Sequence, residues 1–238
     1  MQTNSLKIAI LVSGGGSNLQ ALIDAKQAGE LPIDIVGVIS NKNDAYAITR
    51  AKQAGIKVAV LSHTDTGKKM GIKTFEQHAQ RQLNDWQADL VVLAGFMRVL
   101  SGEFINQCPA PIINLHPSLL PKYKGLNTHQ RALSAKETTH GCSVHVVTAQ
   151  LDAGQVLTQA VMNVPVDITA DKLQQCVHRL EHQLLPWTIK LIAQGVLPLT
   201  ALKQAQYHQP TDSSTNASSP GPLSFTQLPD LPWRLFFK

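Results

Sequence analysis

The sequence predicts an open α/β fold: a mostly parallel, Rossmann-like sheet with helices on both faces and late antiparallel strands. Three observations predict it. Short continuous apolar runs alternate with helical patterns over the first hundred residues, a glycine-rich turn joins the first run to the first helix, and period-two strands take over beyond Pro111. Continuous apolar runs between helices indicate strands buried on both faces of a sheet.

Taken in order, Leu6–Val12 reads as a buried strand and residues 18–28 as a helix with Leu19, Leu22 and Ile23 inward. Ile33–Ser40 is a second strand, 44–54 a helix, 57–61 a third strand, 75–86 a helix and 89–94 a continuous apolar strand. Beyond the change, residues 111–115 form a short strand, followed by a loop stiffened by Pro117 and Pro121 and a helix at 128–136. Residues 142–148 alternate with period two, and 155–164 form another strand. A long amphipathic helix follows at 169–185, with Leu173, Val177, Leu180 and Leu184 on one stripe. Thr169 caps it and Asp171 lies in its first turn, both favourable at a helix N-terminus. Pro186 is expected to end or kink it. One domain is expected over residues 1–205, and 206–238 reads as a Ser/Pro-rich linker with an apolar tail holding Trp233, Phe236 and Phe237.

A chain of 238 residues buries roughly 70% of its unfolded surface, enough for a core without disulfides or metal. Hydrophobic residues make up 43% and charged ones 16%, too apolar for a disordered chain. Three cysteines outside any Cys-x-x-Cys favour a reducing, cytoplasmic setting. No apolar run reaches a membrane span, and the polar start before the first strand gives no sign of a cleaved leader. The net charge of +5 is spread along the chain, with small concentrations at Lys68-Lys69 and Lys122/Lys124. That dispersal argues against a dedicated nucleic-acid binder and suits phosphate- or carboxylate-bearing small molecules.

Residues 13–18, Ser-Gly-Gly-Gly-Ser-Asn, leave a strand and open a helix. Glycines there let the backbone approach an anion, and helix N-terminal amides donate to it. A plain connection is the alternative. The dinucleotide fingerprint fails, because Leu19 stands where the third glycine belongs and the second strand ends in Ser40-Asn41 without an acid. A P-loop fails for want of its lysine, which leaves a monophosphate as the better fit. Residues 114–121, Asn-Leu-His-Pro-Ser-Leu-Leu-Pro, close a strand at the edge where α/β sheets bind ligands. Asn114 and His116, two apart, share one strand face and can converge on one reacting oxygen. On residue type alone, a packed structural histidine is the commoner outcome. His178, Glu181 and His182 match an inverted zinc-protease pattern, but the later acids, Asp212 and Asp230, lie in or beyond the linker and supply no third ligand. His140 and His145 read as strand packing.

At residues 114–121 the chain resembles the folate-dependent formyltransferases, whose core pattern is Asn-x-His with a distant Asp, here Asp152 in Leu151-Asp152-Ala153-Gly154. Within them it is most similar to the glycinamide ribonucleotide branch, through the loop 13–18, the segment 94–100 and the helix around Glu181. The methionyl-tRNA formyltransferases differ by a C-terminal β-domain, and the formyltetrahydrofolate hydrolases by a preceding regulatory domain. The resemblance spans about residues 7–200 and implies the formyltransferase fold, with 1–205 as the catalytic domain and 10-formyltetrahydrofolate as formyl donor. It implies Asn114, His116 and Asp152 as catalytic residues. Gly16, Ser17 and Asn18 would hold the ribonucleotide phosphate, and His178, Arg179, Leu180 and Glu181 its ribose or glycinamide part. Met97, Arg98, Val99 and Leu100 would line the pterin pocket with Asn114, closed by Thr148, Ala149, Gln150, Leu151 and Asp152. Relatives carry a folate-contacting Arg where this chain has Ile72 beside Lys73, and are often acidic at Ala149-Gln150. Small-molecule substrates, no metal, no nucleic acid, no membrane, and a monomer or homodimer complete the expectation.

Overall fold

The computed structural model describes residues 5–62, 67–68 and 70–207. Of the expected linker and apolar tail, residues 208–238 lie outside the described residues, as does Lys69, while Gln206 and Tyr207 belong to the last helix rather than to a linker. The strands are β1 (Leu6–Val12), β2 (Ile33–Ser40), β3 (Val58–Val60), β4 (Leu90–Leu93), β5 (Ile112–His116), β6 (Thr139–Val146) and β7 (Val156–Asn163). The helices are α1 (Ser17–Gln27), α2 (Tyr46–Gln53), α3 (Ile72–Trp86), α4 (Gly102–Gln107), α5 (Thr128–Ser134), α6 (Ala170–Ala193) and α7 (Leu199–Tyr207).

The seven strands form one sheet in the order β3-β2-β1-β4-β5-β6-β7. Pairing is parallel from β3 to β5 and antiparallel where β6 meets β5 and β7. The expected fold class is therefore observed. The order reverses between β1 and β4, and the crevice outside the strand ends at such a reversal is the usual ligand site of an open α/β sheet. Two apolar layers sandwich the sheet. Ile8, Ile10, Val12, Ile113, Leu115, Cys142 and Val144 pack with Leu22 of α1 and Leu173, Val177 and Leu184 of α6. Ala9, Leu11, Val91 and Ile112 pack on the other face with Phe75, Leu83 and Phe104.

Four expectations are corrected. The third helix, α3, starts at Ile72, three residues before the expected Phe75. Helix α4 was not expected, although Ser101 caps it through the Phe104 amide and Glu103 sits in its first turn. It is tied to α3 by Glu76, whose buried carboxylate accepts from the Ser101 amide at 2.6 Å and hydroxyl at 2.8 Å. Third, α6 runs through Pro186 to Ala193. An interior proline costs about 3 kcal/mol. Beyond it Trp187, Ile189, Leu191 and Ile192 are buried, at roughly 1.5–3 kcal/mol for each large apolar side chain, so packing wins. Last, α7 was unexpected. Gln206 on it donates to the Ile105 carbonyl of α4 and accepts from the Ile112 amide at 2.8 Å, supplying a partner at the start of β5. Among the described residues no helix is long and apolar enough to cross a membrane.

Candidate active site

On β5 to β7 the sheet face away from α6 turns polar. Asn114 pairs with His145 and His116 with Ser143, so these four side chains share that face. Asp152 enters from the β6–β7 connection at φ 46°, a left-handed conformation that Asp tolerates better than most residues. Its Oδ2 lies 3.4 Å from His116 Nδ1 and its Oδ1 3.5 Å from His145 Nε2, with all three side chains nearly buried. The Gly125 amide donates to Asp152 Oδ2 at 2.9 Å. The three residues expected at the reaction centre therefore lie together.

Sequence reasoning missed His145. Its Nδ1 faces the Val146 carbonyl at 2.9 Å and so carries a proton, while Nε2 lies 3.1 Å from Asn114 Nδ2 and accepts from it. The second amide N–H of Asn114 is left for a ligand. The period-two pattern of 142–148 was a signal for the face His145 takes. Only the β5–β6 register sets it opposite Asn114.

His116 donates from Nε2 to the Tyr123 carbonyl at 2.9 Å, which leaves Nδ1 as the nitrogen beside Asp152. Burial lowers the His116 pKa; the Tyr123 carbonyl and Asp152 oppose this without reversing it. The expectation that Asp152 favours the charged imidazole holds for its own contribution, but desolvation outweighs it. Burial pushes Asp152 upward, yet the polar groups around it, the Gly125 amide donating to Oδ2 among them, hold it below the ordinary carboxylate value.

The loop 13–18 opens α1 at Gly16, φ 71°, with no side-chain cap and no acid in the first turn, so its leading amides are free for an anion. The Gly14 carbonyl accepts from the Ala47 amide at 3.1 Å, and the Gly15 carbonyl from Arg50 Nε at 2.9 Å. Asn18 Nδ2 donates to Glu181 Oε2 at 3.0 Å across to α6. Burial raises the Glu181 pKa against the pull of Asn18 and His178. Buried Asn18 Oδ1 and His182 Nε2 have no protein partner, as expected of atoms that meet a polar ligand. Arg179 is exposed and Leu180 half-buried against the core. Among the described residues no three His, Cys, Asp or Glu gather as metal ligands.

Ser13 joins this loop to the 94–100 segment: its hydroxyl accepts from the Met97 amide at 2.7 Å and donates to Asn41 Oδ1 at 2.6 Å. Met97, Val99, Leu126 and Leu151 are exposed apolar side chains, more than half accessible. Leu100 instead packs into the core, so its backbone is what it can offer a ligand. Arg98 lies 5.2 Å over the Phe75 ring and donates to the Met70 carbonyl. Lys73 is exposed in the first turn of α3. Thr148 is buried and donates to the Gln150 carbonyl; Ala149 and Gln150 are exposed.

His129 Nδ1 and His140 Nε2 are 3.1 Å apart beneath Tyr123, a contact that two neutral rings make and two cations cannot. Burial, then His140, His178 and His116, pushes His129 down to about 4. As pH falls below the ordinary 6.5, the unfolded chain takes this proton before the folded one. Stability is therefore complete above about 6.5 and declines as pH drops through about 4. Thermal melts from pH 7 to 4 should show that decline, and His140→Gln, which keeps hydrogen bonding without charge, should lessen it while the larger effect of burial remains. An unchanged slope in the variant would exclude the pair as its source.

The chain is 40% identical over 193 residues to the phosphoribosylglycinamide formyltransferase of Haemophilus influenzae, covering 81% of this chain and 90% of that one. It is 38% identical over 198 residues to the trifunctional purine biosynthetic protein adenosine-3 of Gallus gallus, covering 83% of this chain and 19% of that one. It thus spans about a fifth of the length of this trifunctional relative. The solved phosphoribosylglycinamide formyltransferase of Coxiella burnetii superposes with a TM-score of 0.75 at 45% identity, over 81% of this chain and 89% of that one. The formyl transferase family pattern matches residues 6–189, taking in every strand and all of the site, and the chain belongs to that family.

Proposed function

We propose that the protein transfers the formyl group of 10-formyltetrahydrofolate to the amine of N1-(5-phosphoribosyl)glycinamide, a step of de novo purine biosynthesis. One observation carries this reading: Asn114, His116 and Asp152 meet at the same sheet edge as an uncapped helix N-terminus. The named relatives support it. In the reaction the amine attacks the formyl carbon, the carbonyl oxygen becomes an oxyanion, and the carbon–N10 bond breaks while a proton passes from the amine to the departing nitrogen. Asn114, with a free amide N–H, and His116, through Nδ1–H of its protonated ring, would stabilise the oxyanion, and donors preorganised there lower such barriers most. Asp152 would hold His116 and accept the proton from the amine, directly or through water.

Gly16, Ser17 and Asn18 would bind the phosphate, and Glu181 with His178 and its neighbours Arg179 and Leu180 the rest of the ribonucleotide. The exposed apolar group at Met97, Val99 and Leu151 fits a flat heteroaromatic ring, with Arg98, Leu100 and residues 148–152 around it. Lys73 would meet the anionic end of the folate. Three free cysteines fit a reducing, cytoplasmic setting. Residues 1–207, two beyond the expected domain end so that Gln206 of α7 is kept, would suffice for catalysis, since the family match ends at 189 and α7 at Tyr207. The test is release of tetrahydrofolate by the purified chain, and by one ending at residue 207, only when both substrates are present. Release without the ribonucleotide would mean hydrolysis, and none with it would overturn the assignment. Glu181→Gln should raise KM for the ribonucleotide roughly tenfold, the loss of one charge-assisted hydrogen bond, and leave that for the folate unchanged. A parallel rise in both constants would remove Glu181 from the ribonucleotide site.

A further inference from the structure

His116, Ser143 and Gln159 lie opposite one another across β5, β6 and β7, forming a polar row on one sheet face. Hydrogen bonds tie the row to the connection between β5 and α5. Gln159 Nε2 donates to the Leu120 carbonyl and to Ser143 Oγ, both at 2.9 Å. Ser143 Oγ donates to the Ser118 carbonyl at 2.6 Å and accepts from the Leu120 amide at 3.0 Å. Ser118 Oγ in turn donates to the Lys122 carbonyl at 2.7 Å, next to the Tyr123 carbonyl that receives His116 Nε2–H. Four links thus run from the outermost strand to the imidazole.

The chemistry of this chain of bonds is directional. A carbonyl only accepts, so the Leu120 carbonyl needs a donor, and the Gln159 amide is the side chain that provides it. The Ser143 hydroxyl has one proton, already directed at Ser118, so toward Gln159 it too can only accept. Both bonds of Gln159 therefore depend on its NH2 group. Packing alone would be served equally by leucine.

We propose that Gln159 is a positioning residue of the active site: by holding Leu120 and Ser143 it shapes the connection between β5 and α5 so that the Tyr123 carbonyl fixes the ring of His116. This rests on the proposed formyl transfer for its kinetic consequence, though not for its structural one. With Gln159 removed the connection loses two of its ties, at Leu120 and Ser143, so the Tyr123 carbonyl shifts, the ring turns with it, and Nδ1 leaves its place beside Asp152. Misplacement of a reacting group by about an ångström costs up to about a hundredfold in rate.

The experiment compares Gln159→Leu with the parent in three readouts. The expected results are a kcat lower by roughly ten- to a hundredfold, KM for both substrates within about threefold, and a shifted ¹⁵N resonance of His116 Nε2. The His116 signal is assigned by its loss in His116→Ala. Gln159→Glu keeps the size of the side chain and lacks the donor, so it should reproduce the kcat loss at pH 7, and it decides the matter if Gln159→Leu fails to fold. Parental kcat together with an unmoved His116 resonance in a folded variant would overturn the proposal. If the parent itself shows no formyl transfer, the functional reading fails while the ring resonance still decides whether Gln159 positions His116.

Discussion

Asp152→Asn should lower kcat by roughly a hundredfold or more, the scale of one oxyanion-hole donor, while KM for both substrates changes little. The substitution keeps the shape and an acceptor for the Gly125 amide, so the β5–α5 connection stays in place. What it removes is the charge 3.4 Å from His116 Nδ1. Burial already lowers the His116 pKa, and Asp152 is one of the groups opposing that. Without it the pKa falls further, so activity that needs the protonated ring should be lost at lower pH than in the parent. Because the interaction strengthens as the oxyanion forms, it should appear in kcat more than in binding. Asn114→Ala and His116→Ala should each be at least as damaging, and the double variant should lose less than the sum, since the groups act on one oxygen. Near-parental kcat in Asp152→Asn with both substrates saturating would remove Asp152 from the chemistry.

The second large effect is expected at the opening of α1. Gly16→Val should raise KM for the ribonucleotide by roughly ten- to a hundredfold, as one charge-assisted hydrogen bond contributes about 1.5–3 kcal/mol and each 1.4 kcal/mol is tenfold. At φ 71° a Cβ would sit 2.6 Å from the Ala47 Cβ and 2.8 Å from its Cα. The left-handed conformation alone costs a non-glycine residue about 1–3 kcal/mol. Either the loop or α2 must move, and the leading amides of α1 move with the loop. Gly14 is the control: a Cβ there meets nothing within 4 Å, so Gly14→Ala should be nearly silent. Steady-state kinetics on both variants, with circular dichroism to confirm folding, check the contrast. Equal losses for ribonucleotide and folate in a folded Gly16→Val would count against a phosphate site.

Where a property depends on a few neighbouring residues, the amino-acid order was enough to read it. The apolar runs of β1, β2 and β4, the glycine turn between β1 and α1, and the sharing of one face by Asn114 and His116 follow from strand and helix periods. The cap at Thr169 is equally local. The continuation of α6 past Pro186 is not, because the buried Trp187, Ile189, Leu191 and Ile192 find partners only in the assembled core. Helix α7 is similar: Gln206 has value at the first amide of β5, some ninety residues away.

The same division runs through the site. Spacing put Asn114 and His116 on one strand face, and the resemblance to the formyltransferases singled them out, with Asp152, as a reaction centre. That His145 joins them was decided by the register of β5 against β6, a pairing of residues 31 positions apart. That desolvation outweighs Asp152 at His116 was decided by burial, which depends on every element packed around the ring. Periodicity carries the direction a side chain takes from its own backbone. Only tertiary structure carries what it meets there, since register and solvent exclusion are properties of segments brought together from distant parts of the chain.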